Sequence, residues 1–146
     1  MNSICTEKLD SAINALCPEI WDNMQSVSKI DHSEESLWEE LVCCVLSSQV
    51  KFELSQAVTQ NLKDNGLLEL GILDKSYEEQ LGELLRAPVM VDGRPIKYRF
   101  PNIKAKQITA ARENIYENGS SLREMQDKYS EISELRIALV NSVPGL

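Results

Sequence analysis

With 146 residues, 42% apolar composition and a net charge of −8 at neutral pH, the chain can bury one core but is too short for two independent domains. The acidic balance excludes indiscriminate nucleic-acid binding, which needs clustered Lys and Arg to meet phosphates. No long apolar stretch is present, and residues 1–7 lack the basic and apolar regions of a signal peptide, so a cytoplasmic protein that does not engage a membrane is expected.

Only 5% of residues are aromatic and no alternating β-branched run occurs, which predicts an all-α fold. The expected organisation is a single helical domain over residues 1–146, with N-terminal helices in 1–32 and a bundle in 33–146. A first helix should begin near Thr6, carrying Leu9, Ile13 and Leu16, until Pro18 interrupts it or opens a segment through Trp21 and Met24. Residues 26–32 read as a connection ending at His32, the only histidine, in a solvated helix entry that provides no Ser-His-Asp set. Ser33 should cap the next helix, where early carboxylates suit the dipole and Leu37, Leu41, Cys44 and Val45 share the face to be buried. Cys43 and Cys44 sit in its apolar run and read as small buried side chains. Together with Cys5 and Cys17 they form no C-x-x-C pair, so neither a disulfide framework nor a metal site is expected.

Residues 47–50 break the apolar pattern. A helix should follow from about Phe52 through Ala57, Val58 and Leu62 to Asn65, with Gly66 as its C-terminal cap. After an apolar connector at 67–73, Ser76 should cap a short helix ending before Pro88. Gly93, Pro95 and Pro101 make residues 89–101 an extended loop or a small hairpin. The clearest amphipathic helix then starts with Asn102 as its expected cap and turns Ile108, Ala111 and Ile115 to the core. Lys104 and Lys106 fall in its first turns, where they oppose the helix dipole at about a few tenths of a kcal/mol each, a conflict that a bound anion relieves. Asn118-Gly119 should end it, residues 121–129 form a short helix, and Ile132, Leu135 and Leu139 make a last apolar stripe.

Charge is distributed unevenly. Residues 93–112 hold six basic side chains, Arg94, Lys97, Arg99, Lys104, Lys106 and Arg112, and no acidic one. Such a patch can position a nucleic-acid backbone while the acidic remainder repels nonspecific contacts; equally, it can be a solvated face that offsets that remainder.

The final residues, Asn141-Ser-Val-Pro-Gly-Leu146, match the opening of an apolar-x-Gly-apolar-Gly hairpin, whose glycines let backbone N–H groups approach a phosphate. The second glycine and its following helix are absent, so the domain is expected to be truncated inside the hairpin. Three stretches together carry a family resemblance: residues 41–50 (LVCCVLSSQV), 98–108 (YRFPNIKAKQI) and 134–146 (ELRIALVNSVPGL). Their order and spacing resemble the helix-hairpin-helix base-excision DNA glycosylases, which include endonuclease III, and the Arg-Phe-Pro-Asn wording leans toward the 8-oxoguanine DNA glycosylase/AP lyase branch.

The resemblance implies a helical bundle that removes an oxidised base, 8-oxoguanine in that branch, from double-stranded DNA and then cleaves the strand. A base flipped from the stack leaves a vacancy that must be filled. In this family a glutamine at the position of Gln49 commonly reaches into the duplex there; read alone, Gln49 is a polar residue at a helix-loop junction. Gly145 would belong to the phosphate-clamping turn, or, read alone, cap a helix. Arg99, Asn102, Lys104 and Lys106 complete the expected DNA-binding set. The family's nucleophilic lysine and assisting aspartate follow the hairpin, so no catalytic residue is assigned, and no metal or cofactor is implied. A second chain or further C-terminal segment is the expected means of completing the hairpin. The competing readings are a non-catalytic glycosylase-like module that binds DNA or a protein partner, and an acidic interaction domain whose basic patch meets a partner's carboxylates.

Overall fold

A computed structural model of the chain describes residues 33–71, 75–117 and 119–146, all within the unit His32–Leu146. The helices expected near residues 6–16 and 18–24, together with Cys5, Cys17 and His32, lie outside the described residues.

Helix α1 spans Glu34–Ser47, and the Ser33 hydroxyl accepts the Ser36 amide at 3.3 Å, as its capping role requires. Its core face is Trp38, Leu41, Val42, Val45 and Leu46. This differs from the expected stripe: Cys44 is exposed, Leu37 is half-buried, and Cys43 is also only partly covered. Trp38 turns the helix, because its indole is completely buried and meets the Tyr116 ring edge-on at a centroid separation of 5.7 Å. Helix α2, Phe52–Asp64, buries Leu54, Ser55, Val58 and Leu62. The Gly66 amide bonds to the Lys63 carbonyl and the Leu67 amide to that of Leu62, with Gly66 at φ +72, a paired closure that few side chains permit.

Helix α3, Tyr77–Arg86, buries Tyr77, Leu81, Gly82 and Leu85. Ser76 stands at its N-cap position, as expected, but makes no side-chain bond to a helix amide, and its hydroxyl instead accepts from Gln80 Nε2 at 2.8 Å. Strands β1, Val89–Val91, and β2, Arg94–Ile96, then pair antiparallel with Val91 opposite Arg94. Asp92 and Gly93 between them both have positive φ, 50° and 74°, the backbone that a two-residue hairpin demands. Residues 89–96 are therefore the small hairpin of the two possibilities.

Helix α4 covers Pro101–Tyr116, with Phe100 at its cap and Pro at the start. Asn102 is consequently inside the first turn, not at the cap, because Pro101 has no amide to be satisfied and already carries the φ a helix needs. Ala105, Ile108, Ala111 and Ile115 face the core with Leu46, Leu62, Leu81 and Leu85. Helix α5, Leu122–Lys128, is capped by Ser121, whose hydroxyl accepts the Glu124 amide at 3.1 Å. The Glu34 carboxylate supports the same helix start from α1, receiving the amides of Leu122 at 2.7 Å and Arg123 at 3.0 Å.

Helix α6, Ile132–Ser142, buries none of its residues. Of its expected apolar stripe, Leu135 and Leu139 are half-covered while Ile132 is 85% exposed. Ile137 and Val140 are exposed as well, and only after the helix does Val143 enter the core completely. No helix among the described residues is long and apolar enough to cross a membrane.

Candidate nucleic-acid interface

The bundle brings the three stretches singled out in the sequence into direct contact. Tyr98, in the second, donates its hydroxyl to the Leu46 carbonyl in the first at 2.8 Å, a buried bond that fastens the approach to α4 onto the end of α1. Gln107, also in the second, lies against Gly145 in the third. Asn114 Nδ2 adds a 3.0 Å bond to the Ser142 carbonyl, so α4 is the strut between the other two.

Gln49 is exposed in the junction between α1 and α2 and has φ +63, the left-handed region that costs a non-glycine residue roughly 1 kcal/mol. The neighbouring turn is tight: Ser47 Oγ donates to the Cys44 carbonyl at 2.8 Å, and the Val50 amide returns to the Ser47 carbonyl at 3.4 Å. A strained, exposed polar residue on a braced turn is a typical functional placement. Lys51 and Phe52 follow, both exposed.

Of the six basic side chains in residues 93–112, Arg94, Lys97, Arg99 and Lys106 are exposed. The Arg99 guanidinium stacks on the Phe100 ring at 5.1 Å. Asn102 is exposed and accepts from Arg86 Nη1 at 2.7 Å, and with Lys106 they line a cleft of about 600 Å³ between α3 and α4. Among the described residues the only ion pair is Lys63 with Glu39 at 3.0 Å, which leaves these cations without carboxylate partners.

Arg112 does not belong to the surface patch. It is 4% exposed, donates to the Gly71 carbonyl at 2.9 Å and lies 4.7 Å over the Tyr77 ring, a cation fixed by an interior carbonyl and an aromatic face. Lys104 is 5% exposed, and burial lowers the pKa of its ammonium. The periodicity of α4 could have located both, since Lys104 and Arg112 lie four residues either side of Ile108, on the core face. Tyr98 and Gln107 are the residues that sequence reading missed; no spacing signals a contact made 52 residues away.

Gly145 is exposed at φ +84 in the turn after α6. The described residues contain no group of His, Cys, Asp and Glu that could hold a metal ion.

A family model for 8-oxoguanine DNA glycosylase matches residues 19–146 of the chain. No curated protein and no solved structure matches it.

Proposed function

Because the chain belongs to the 8-oxoguanine DNA glycosylase family and carries that family's helix-hairpin-helix domain, we propose that it takes part in base-excision repair by recognising 8-oxoguanine in double-stranded DNA, with excision followed by AP-lyase strand cleavage. The observation that carries this reading is the physical joining of the Gln49 junction, the start of α4 and the Gly145 turn through Tyr98 and Gln107. A glycosylase needs a side chain to fill the flipped base's vacancy and fixed groups to hold the backbone while it does so.

In this reading Gln49 enters the duplex, Arg99, Asn102 and Lys106 hold phosphates, and Gly145 presents its backbone to another. Lys104 contributes positive potential at the α4 start from its covered position. Desolvation raises the field of such a cation at short range but also makes it easier to neutralise. No lysine of these 146 residues is assigned the nucleophile's role.

Competition binding tests the lesion. Duplexes carrying 8-oxoguanine, uracil, thymine glycol or no damage are offered against a labelled duplex with a stable abasic analogue, and 8-oxoguanine is expected to compete best. Equal competition by the undamaged duplex would remove lesion recognition, and better competition by an oxidised pyrimidine would move the substrate. Borohydride trapping on the 8-oxoguanine duplex tests the lyase step separately.

A further inference from the structure

A Cβ on Gly145 would overlap Cδ, Oε1 and Nε2 of Gln107 together, so the carboxamide of Gln107 lies broadside to the glycine. The φ of +84 alone favours glycine here, and a Cβ would in addition make the Gln107 carboxamide turn away from the place it now holds. The contact is an unusual choice for packing alone. Gln107 Oε1 is buried without a hydrogen-bond partner, a desolvation cost that an apolar side chain of the same length avoids.

The rest of the turn's anchorage is sparse. α6 buries no residue fully, and the turn is placed by half-buried Leu139 against the core, by Val143 within it, by the Leu146 amide on the Val143 carbonyl, by Asn114 on the Ser142 carbonyl and by Gln107 beneath Gly145. Gln107 and Asn114 are seven residues apart and lie on one side of α4. Nothing among the described residues accepts from the Gly145 amide, which remains available to an external acceptor.

We infer that Gln107 is a positioning residue for DNA binding: its carboxamide fixes the Pro144–Gly145 peptide so that the Gly145 amide meets one particular phosphate. This rests on the reading of the turn as a DNA contact. The planar amide sets the height of the turn above α4, and the absence of a Cβ at Gly145 lets the two lie in contact.

The test is a methylphosphonate scan, in which each phosphate of an abasic-analogue duplex is neutralised in turn and binding by the full chain is measured. Wild type is expected to lose affinity on the order of tenfold at the phosphate that the turn contacts, the size of one charge-assisted hydrogen bond. Gln107→Ala should bind weakly overall and lose that single sensitivity, with the other positions unchanged. Gln107→Glu keeps the planar shape but places a negative charge beneath the turn, so neutralising the same phosphate should improve its binding. A Gln107→Ala profile identical to wild type overturns the inference alone, as does a Gln107→Glu profile that still loses affinity at that position. If Gln107→Ala does not fold, Gln107→Glu decides. Absence of any sensitive position in wild type overturns both this inference and the reading beneath it.

Discussion

The Tyr98 hydroxyl donates to the Leu46 carbonyl at 2.8 Å, joining the strand-to-helix connection after the hairpin to the end of the helix that presents Gln49. Leu46 is one residue from the end of α1, where carbonyls lose their helical partners, so the phenol satisfies an acceptor that would otherwise be buried and unpaired.

Tyr98→Phe is therefore expected to destabilise the fold by about 1–2 kcal/mol at pH 8. Burial pushes the Tyr98 phenol up to about 12, above the ordinary value of 10.0. With a folded pKa above the unfolded one, the stabilisation is complete below pH 10 and is lost as pH rises toward 12, where the unfolded phenol ionises first. Tyr116 moves in the same direction through burial and its bond to Glu34, so it steepens the same alkaline limb. Urea unfolding between pH 8 and 12 should show a shallower decline for Tyr98→Phe than for wild type. An identical slope would mean that Tyr98 does not titrate with unfolding.

The Glu34 carboxylate serves three donors: the Tyr116 hydroxyl at 2.6 Å and the Leu122 and Arg123 amides at the start of α5. Glu34→Ala should cost about 2–3 kcal/mol, the sum of a lost helix cap and an unpaired tyrosine hydroxyl. Hydrogen exchange should reveal earlier opening of α5 than of α2. Uniform loss of protection in both helices would show that the carboxylate has no local role.

Surface and interior cations should separate cleanly. Arg99→Glu with Lys106→Glu is expected to leave the melting temperature nearly unchanged while reducing the slope of log affinity against log salt by about 2, one unit per phosphate lost. Arg112→Met should do the reverse, unfolding about 2–3 kcal/mol more easily because the Gly71 carbonyl and the Tyr77 face lose their partner, without changing the slope. A fall in slope with Arg112→Met would return that residue to the DNA footprint.

Helix positions in α1, α2 and α4 were legible because caps, breakers and apolar spacing act over a few residues. Gly66 is an instance, since Asn-Gly after Leu62 has few conformational alternatives. What the sequence concealed depends on tertiary choice. α1 could have turned either Cys44 or Trp38 inward, and the larger apolar area of the indole decided it. Arg112 reads as a surface charge until Gly71 and Tyr77 are seen to enclose it. Pro101 displaced Asn102 from the cap, a rule available in the sequence but outweighed there by the stronger capping preference of asparagine. The motifs marked the Gln49 and Gly145 turns; that Tyr98, just before α4, and Gln107, within it, tie the two stretches to one helix emerged only from the fold.

Gln49 offers a test in which stability and function part company. Its φ of +63 strains any side chain, so Gln49→Gly should stabilise the protein by about 0.5–1 kcal/mol, whereas Gln49→Ala keeps the strain and should leave stability unchanged. Both variants lack the carboxamide that fills the vacancy, so both should bind an abasic-analogue duplex on the order of tenfold more weakly, with a smaller loss on intact duplex. The glycine variant separates binding from folding, because its weaker affinity cannot follow from a damaged fold. Equal losses on the two duplexes would leave Gln49 a general DNA contact with no part in recognising the lesion.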